Sequence, residues 1–348
     1  MGKSAVNGIY ILCRASLTIR KALENQLTLL KTMKNVEKMP DKRIHFIGIL
    51  SNVDKSILQV KLDHGFIIDA FSSEEGMRFF SELERIPGDF PGFNVLNEIF
   101  TDHGCLNYSE GRLYTVRNSF LFTPDPDPLS YSGHLRAESE FHRRMVQSYL
   151  NIVLRLMRLF REGDIRLPFT YYYLMENEKL RRFGKWFSYR SVSREPYQLA
   201  GSELQELDVF IHSTKIPFQE PFLQLAFENL ELSYDIDDIR LSFLTLMVSL
   251  ETLLNPGKYE LTYSISRNTA VLLGKDRNDS ESIFREVKEL YKRRSEIVHS
   301  GKSDRLTKAD LLRLRYYVRE SIKQFYRIGK SKDEMCDLLN SHGFGERI

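Results

Sequence analysis

Residues 280–301 read SESIFREVKELYKRRSEIVHSG, and this stretch combines a helix signal with an unusual charge. Its apolar residues recur at steps of four, three and seven, namely Ile283, Val287, Leu290 and Ile297. That spacing predicts one packed face of a helix ending before Gly301. Arg294 fills the gap in the series, and a buried unpaired guanidinium costs several kcal/mol. We therefore expect Arg294 to meet an acidic partner, a water-filled groove or an anionic ligand.

Helical spacing continues on both sides of this stretch. The predicted helices cover 135–162, 222–234, 239–254, 263–273, 280–299 and 308–328. Gly163, Asn255 and Gly274 stand at helix ends as stop signals. No alternating run of strand length interrupts this part of the sequence. We predict an all-helical domain over residues 135–330, with its core at 200–330, followed by a C-terminal tail at 331–348.

The residues before this domain have a different pattern. Short segments rich in Ile and Val predict strands over 43–50, 56–62, 65–71 and 113–122. Residues 16–34 have helical spacing, and Ser72 with Glu75 forms a capping-box signal for a short helix. Residues 1–122 are therefore predicted to form an α+β domain for sensing or recruitment, whose ligand the sequence does not name. Three prolines within residues 123–134 predict a linker and the domain boundary.

Composition restricts the class of protein. The 348 residues are 42% hydrophobic and 28% charged, which excludes collagen-like, mucin-like and fully disordered chains. The net charge of +3 hides an uneven distribution of charge along the chain, since residues 201–239 carry a net charge of −8 and residues 285–323 carry +6. Three scattered cysteines predict reduced thiols. The longest apolar run near the start is far too short for a membrane span, so we expect a cytoplasmic protein without a membrane partner.

The motif around Arg294 resembles a known signature. Residues 291–301 are similar to the R-x4-6-H motif of the HEPN superfamily, and specifically to Apea-like HEPN domains, with Arg294 and His299 at its ends. The preceding SLETLL segment, which contains Glu251, is similar to the family's apolar helix with an embedded glutamate. Residues 260–274 resemble the second core helix with its glycine stop. The resemblance covers roughly residues 200–330.

The resemblance implies a fold and a chemistry. Such domains are helical bundles, and many are metal-independent endoribonucleases in toxins, abortive infection and other antiviral defence. His299 would be the acid or base for the ribose 2′-hydroxyl or the leaving 5′-oxygen. Arg294 would hold the scissile phosphate and stabilise its charge in the transition state. RNA would be cut to a 2′,3′-cyclic phosphate, DNA would be spared, and neither metal nor cofactor would be needed.

Two features modify this expectation. Many active members carry Asn, Asp or His directly after the arginine, whereas this chain has Ser295, which lies four residues before His299 and could orient it. Arg294 and His299 lie about 140° apart on an ideal helix. A single copy therefore makes a lopsided site, and we expect a homodimer in which two motifs face each other.

Other interpretations stay open. Arg294 could pair structurally with Glu251, which is more often a packing acid than a catalytic group, and His299 could interact with the helix dipole. The domain would then be an inactive HEPN module for RNA binding or dimerisation. Candidate RNA-binding residues are Lys292, Arg293 and Lys302 beside the motif, and Arg181, Arg182, Lys185 and Trp186 in a stretch of interleaved bases and aromatics. That stretch is alternatively a solvated face with its aromatics in the core. No histidine or cysteine group has metal-ligand spacing.

Overall fold

The computed structural model describes residues 43–72, 74–76, 78–80, 112–121, 131–176, 179–187, 196–255, 260–301 and 304–346. All of them belong to one compact unit, Arg43–Ile348. The predicted helix over 16–34 and most of the predicted linker lie outside the described residues. Within the described part, an antiparallel sheet lies in the N-terminal region and the C-terminal part is mostly helical, as predicted.

The sheet has five strands in the order β2-β3-β1-β4-β5. Their bounds are β1 (Arg43–Ser51), β2 (Ile67–Ser72), β3 (Arg112–Leu121), β4 (Arg166–Glu176) and β5 (Lys179–Phe187). The predicted strands over 43–50, 65–71 and 113–122 are confirmed. The strand predicted over 56–62 is wrong, because the Asp54 side chain accepts from the Ser56 backbone N–H and begins a 3-10 helix at Lys55–Gln59. The Ser72–Glu75 capping box is confirmed, since each side chain accepts from the other's backbone N–H.

The prediction that residues 135–330 are wholly helical is wrong at β4 and β5. β4 pairs with β1, so the sheet continues past the predicted boundary at 123–134. Sequence periodicity hides β4 because both of its faces are buried. Phe169 and Tyr171 pack into one apolar cluster, whereas Tyr172 packs into another. A strand covered on both sides lacks the alternation that marks a half-exposed strand.

A long helix, α1 (Tyr131–Phe160), packs against both the sheet and the helices that follow. Val146, Leu150 and Val153 of this helix pack with the sheet, while Leu156 and Leu159 belong to the core of the helices beyond it. The helix begins inside the predicted linker, four residues before the predicted start at residue 135. α1 therefore connects the apolar cluster on one face of the sheet to the core of the helices.

The helical layer contains α2 (Leu204–Ser213), α3 (Pro221–Asp235), α4 (Ile239–Leu254), α5 (Leu261–Leu273), α6 (Arg277–Ser300), α7 (Lys308–Ile328) and α8 (Lys332–Ser341). The predicted helices from residue 222 to residue 328 are confirmed to within three residues at each end. α2 was not predicted. The tail predicted at 331–348 is wrong over α8, since Met335 and Leu339 are fully buried in the bundle core. Among the described helices, none is long and apolar enough to cross a membrane.

A buried ion cluster connects the end of α1 to this bundle. The carboxylate of Glu162 accepts from Arg315 at 3.0 Å and from Arg319 at 2.6 Å. The two arginine side chains are only 4% and 5% exposed. Arg315 also donates to the backbone oxygen of Ser233 at 3.1 Å and lies 4.1 Å from the ring centre of Tyr234. Charges thus fix α7 against both α3 and the chain segment after α1.

Candidate functional site

α6 positions the predicted motif. The Asp276 side chain caps the start of the helix by accepting from the Asp279 backbone N–H. Gly301 ends the helix in the left-handed region, with φ of 65°, and donates its N–H to the Ile297 carbonyl. The helix packs on α5 and α4 through the apolar face predicted from the sequence. Arg294 and His299 therefore lie in the last two turns of a well-capped helix.

Arg294 meets Glu251, one of the partners that the sequence left open. Its Nε lies 3.6 Å from Glu251 Oε1, and the two side chains are 30% and 20% exposed. The guanidinium carbon lies 5.9 Å from the centre of the Tyr291 ring. Neither terminal nitrogen of Arg294 has a hydrogen-bond partner among the described residues. The guanidinium thus has an acidic partner on its Nε side, and its two terminal nitrogens can donate to a ligand.

Tyr291 completes this cluster and is the residue that the sequence reasoning did not place in the site. Its hydroxyl donates to Glu251 Oε1, the oxygen that also faces Arg294. Burial raises the pKa of Tyr291, and the hydrogen bond and charge of Glu251 raise it further. The phenol therefore stays protonated and remains a donor at neutral pH. One signal was present in the sequence, because Tyr291 precedes Arg294 by three residues and shares its helix face.

His299 lies in the last turn of α6 and is exposed. It has no hydrogen bond or ion pair with any described residue, so the structure does not join it to Arg294 within one chain. Ser295 is also exposed and, within the described part, makes no hydrogen bond to His299. The predicted orienting role of Ser295 is thus not seen as a contact. Arg294, Glu251 and Tyr291 are the members that the fold brings together.

The basic residues beside the motif differ in their surroundings. Lys292 is exposed, whereas Arg293 forms an ion pair with Asp310 of α7 and is 28% exposed. Asp310 is itself fixed by a capping box with Thr307. The sequence shows that capping box but not the pair across two helices. Lys302 lies outside the described residues.

The other predicted RNA-binding residues lie in β5 instead of a helix. Backbone pairing places Arg181 opposite Leu174, Arg182 opposite Tyr173, Lys185 opposite Tyr171 and Trp186 opposite Thr170. β5 is at one edge of the described sheet, and β4, β1 and β3 lie between it and β2. Basic residues on edge strands commonly prevent unwanted pairing with other strands. β5 is also separate in the sequence from α6 and the cluster around Arg294.

The described residues contain no group of three or more His, Cys, Asp or Glu side chains arranged to hold a metal ion. Comparison with protein-family models, curated proteins and solved structures finds no match to this chain. The HEPN resemblance therefore rests on the residues of the motif and its flanks, and it stays a prediction.

Proposed function

We propose that this protein is a metal-independent endoribonuclease of the HEPN type, with Arg294 and His299 as its catalytic residues. The contacts of the Arg294 guanidinium support this proposal best. Glu251 holds its Nε side, while the terminal nitrogens have no partner among the described residues. A guanidinium held in this way is prepared to take two oxygens of a phosphate.

The chemistry needs one proton taken and one proton given. The ribose 2′-oxygen forms a bond to phosphorus, and the bond from phosphorus to the 5′-oxygen breaks. An imidazole removes the 2′-hydroxyl proton, and a second imidazole gives a proton to the leaving 5′-oxygen. The products are a 2′,3′-cyclic phosphate and a 5′-hydroxyl. Arg294 stabilises the charge that gathers on the phosphate oxygens.

Two copies of the chain supply both imidazoles in this proposal. His299 is exposed at the end of α6, where a second molecule can reach it. A homodimer with paired motifs would place two histidines and two arginines around one phosphate. Glu251 and Tyr291 are positioning residues, since they contact Arg294 and each other.

A second candidate is an RNA-binding or dimerisation module without catalysis. The observation that favours it is the same ion pair, because Arg294 already has an acidic partner within the chain and needs no ligand for its stability. A role in antiviral defence, as the resemblance implies, would suit either candidate.

Cleavage of total RNA in excess EDTA separates the candidates. We expect the wild-type protein to cut RNA, and Arg294→Ala and His299→Ala to slow cleavage by about a hundredfold or more. Arg277→Ala at the other end of α6 is the matched control, since Arg277 forms only an exposed pair with Glu281. RNA that is bound but left intact at high protein concentration would support the module and rule out the enzyme.

A further inference from the structure

An open groove lies beside the Arg294 cluster and has no role in the proposal above. It is shallow and widely open to solvent, with a volume of ≈ 480 Å³. The N-terminal half of α3, the C-terminal half of α4 and the first residue of α8 line it. We call it the α3–α4 groove. Among its lining residues are Leu225, Val248, Glu251 and Lys332.

One wall of this groove is apolar and open to solvent. Leu225 and Val248 both line the groove and are 48% and 47% exposed. Phe222 forms the neighbouring wall and packs edge-on against Phe325 of the core, with ring centres 5.8 Å apart. A flat apolar group that enters here would remove Leu225 and Val248 from water and gain hydrophobic free energy. A nucleobase has such a flat face.

The uncompensated charge in the groove is positive. The negative charge of Glu251 is paired with Arg294, and its Oε1 also accepts from the Tyr291 hydroxyl. Lys332 has no ion-pair partner among the described residues. It is also the first residue of α8, at the helix end where a positive charge is disfavoured by the dipole and adds to the local positive potential. The acidic residues that follow it in α8 do not line the groove.

Glu251 connects the groove to the catalytic cluster, since the same side chain lines the groove and contacts Arg294. We infer that the α3–α4 groove is a nucleotide subsite for single-stranded RNA. The base of a nucleotide next to the scissile phosphate packs on Leu225 and Val248, and Lys332 contacts a flanking phosphate. The inference rests on the proposed ribonuclease function, and it deepens that function by naming where the substrate strand is held.

Binding of a fluorescent, single-stranded oligoribonucleotide tests the subsite. The full-length chain carries His299→Ala so that the RNA stays intact, and fluorescence anisotropy gives the Kd. We expect Leu225→Asp to raise the Kd by about tenfold because it places a charge against the base. Lys332→Glu should raise the Kd by a similar factor because it reverses the charge that faces the phosphate. Lys332→Glu should also reduce the salt dependence of binding by about one counterion.

Two variants are matched controls. Leu232→Asp makes the same change on α3 at a residue that is 47% exposed but does not line the groove. Lys330→Glu makes the same charge change two residues before Lys332, also outside the groove. Both variants should bind RNA with a Kd within about twofold of the parent's, because residues that do not contact the ligand have only small effects on its binding. Lys332→Glu is expected to fold normally because an acid is favoured in the first turn of a helix.

Removal of one base at a time from the oligoribonucleotide identifies the bound nucleotide. One abasic position should weaken binding to the parent by about tenfold and have no further effect on Leu225→Asp, because the same contact is already lost. Equal losses of RNA affinity in the parent and in Leu225→Asp at every abasic position would overturn the subsite. Groove variants that bind RNA as the controls do would also overturn it, as would a parent chain that binds no RNA.

Cleavage by the wild-type chain keeps the two proposals distinguishable. Arg294- and His299-dependent cleavage with normal RNA binding in the groove variants would leave the ribonuclease and remove the subsite. Groove-dependent binding without any cleavage would support the subsite and remove the ribonuclease. If Leu225→Asp and Leu232→Asp both abolish dimerisation and leave RNA binding unchanged, the face belongs to a second copy and the subsite is wrong.

Discussion

Loss of the Glu162 carboxylate should destabilise the protein more than loss of any exposed acid. Glu162→Gln keeps the side-chain volume but leaves Arg315 and Arg319 without their shared negative partner. Breaking a buried ion pair in this way costs about 3–5 kcal/mol. Glu162 is 23% exposed, and Arg315 keeps the backbone oxygen of Ser233 as an acceptor, so we expect about 3 kcal/mol, the lower end of that range. At about 2 °C per kcal/mol for a chain of this size, Tm should fall by about 6 °C.

Urea unfolding followed by circular dichroism measures this change in the free energy of unfolding. Glu281→Gln removes the exposed partner of Arg277 and serves as the control, with an expected change close to zero. The double variant Glu162→Gln with Arg319→Met should recover part of the loss, because it replaces one of the two unpaired charges by an apolar group of similar length and leaves Arg315 in place. A cost for Glu162→Gln equal to that of Glu281→Gln would refute the view that this cluster connects α1 to the bundle.

Two further predictions concern links elsewhere in the fold. The hydrogen bond that the His212 ring donates to the Asp208 carbonyl and the charge of Asp63 raise the pKa of His212 above its ordinary value of 6.5. A pKa that is higher in the folded state adds stability below pH 6.5, and this stability is lost as the pH rises through the folded-state pKa. His212→Ala should therefore reduce stability against urea in mild acid and have little effect at alkaline pH. The opposite dependence on pH would contradict this link. Gly163 has φ of 144°, and an added Cβ would lie 2.4 Å from Tyr197 Cα, so Gly163→Ala should cost at least about 2 kcal/mol. Gly201→Ala, where nothing lies within 4 Å, should leave Tm nearly unchanged, and equal Tm values for the two variants would contradict the packing at Gly163.

The helices between residues 221 and 328 could be predicted because local signals determine them. Asp238 and Thr307 cap the starts of α4 and α7, and Gly301 ends α6, all within a few residues of the apolar pattern. β4 could not be predicted in this way, since its two faces enter different cores and the alternation disappears. Tertiary context, which a single sequence does not show, determined that strand.

The candidate site was predictable to a similar extent. The charge at the packed position of Arg294 required a partner, and Glu251 was among the possible partners because of its place in an apolar helix. The Tyr291 contact and the Arg293 pair with Asp310 depend on how α4, α6 and α7 approach each other. The buried arginines of α7 were missed because Arg315 and Arg319 look like solvent-facing residues until their neighbours are known.

In the proposed reaction, His299 takes the proton of a ribose 2′-hydroxyl, and Arg294 holds the adjacent phosphate that this hydroxyl attacks. A labelled RNA with a single preferred cleavage position, compared with the same RNA carrying a 2′-deoxyribose at that position, tests it most directly. We expect a 2′,3′-cyclic phosphate end from the first substrate in EDTA, no cut at that position in the second, and no cut in either with His299→Ala. Cleavage at the 2′-deoxy position, or cleavage that survives His299→Ala, would contradict it.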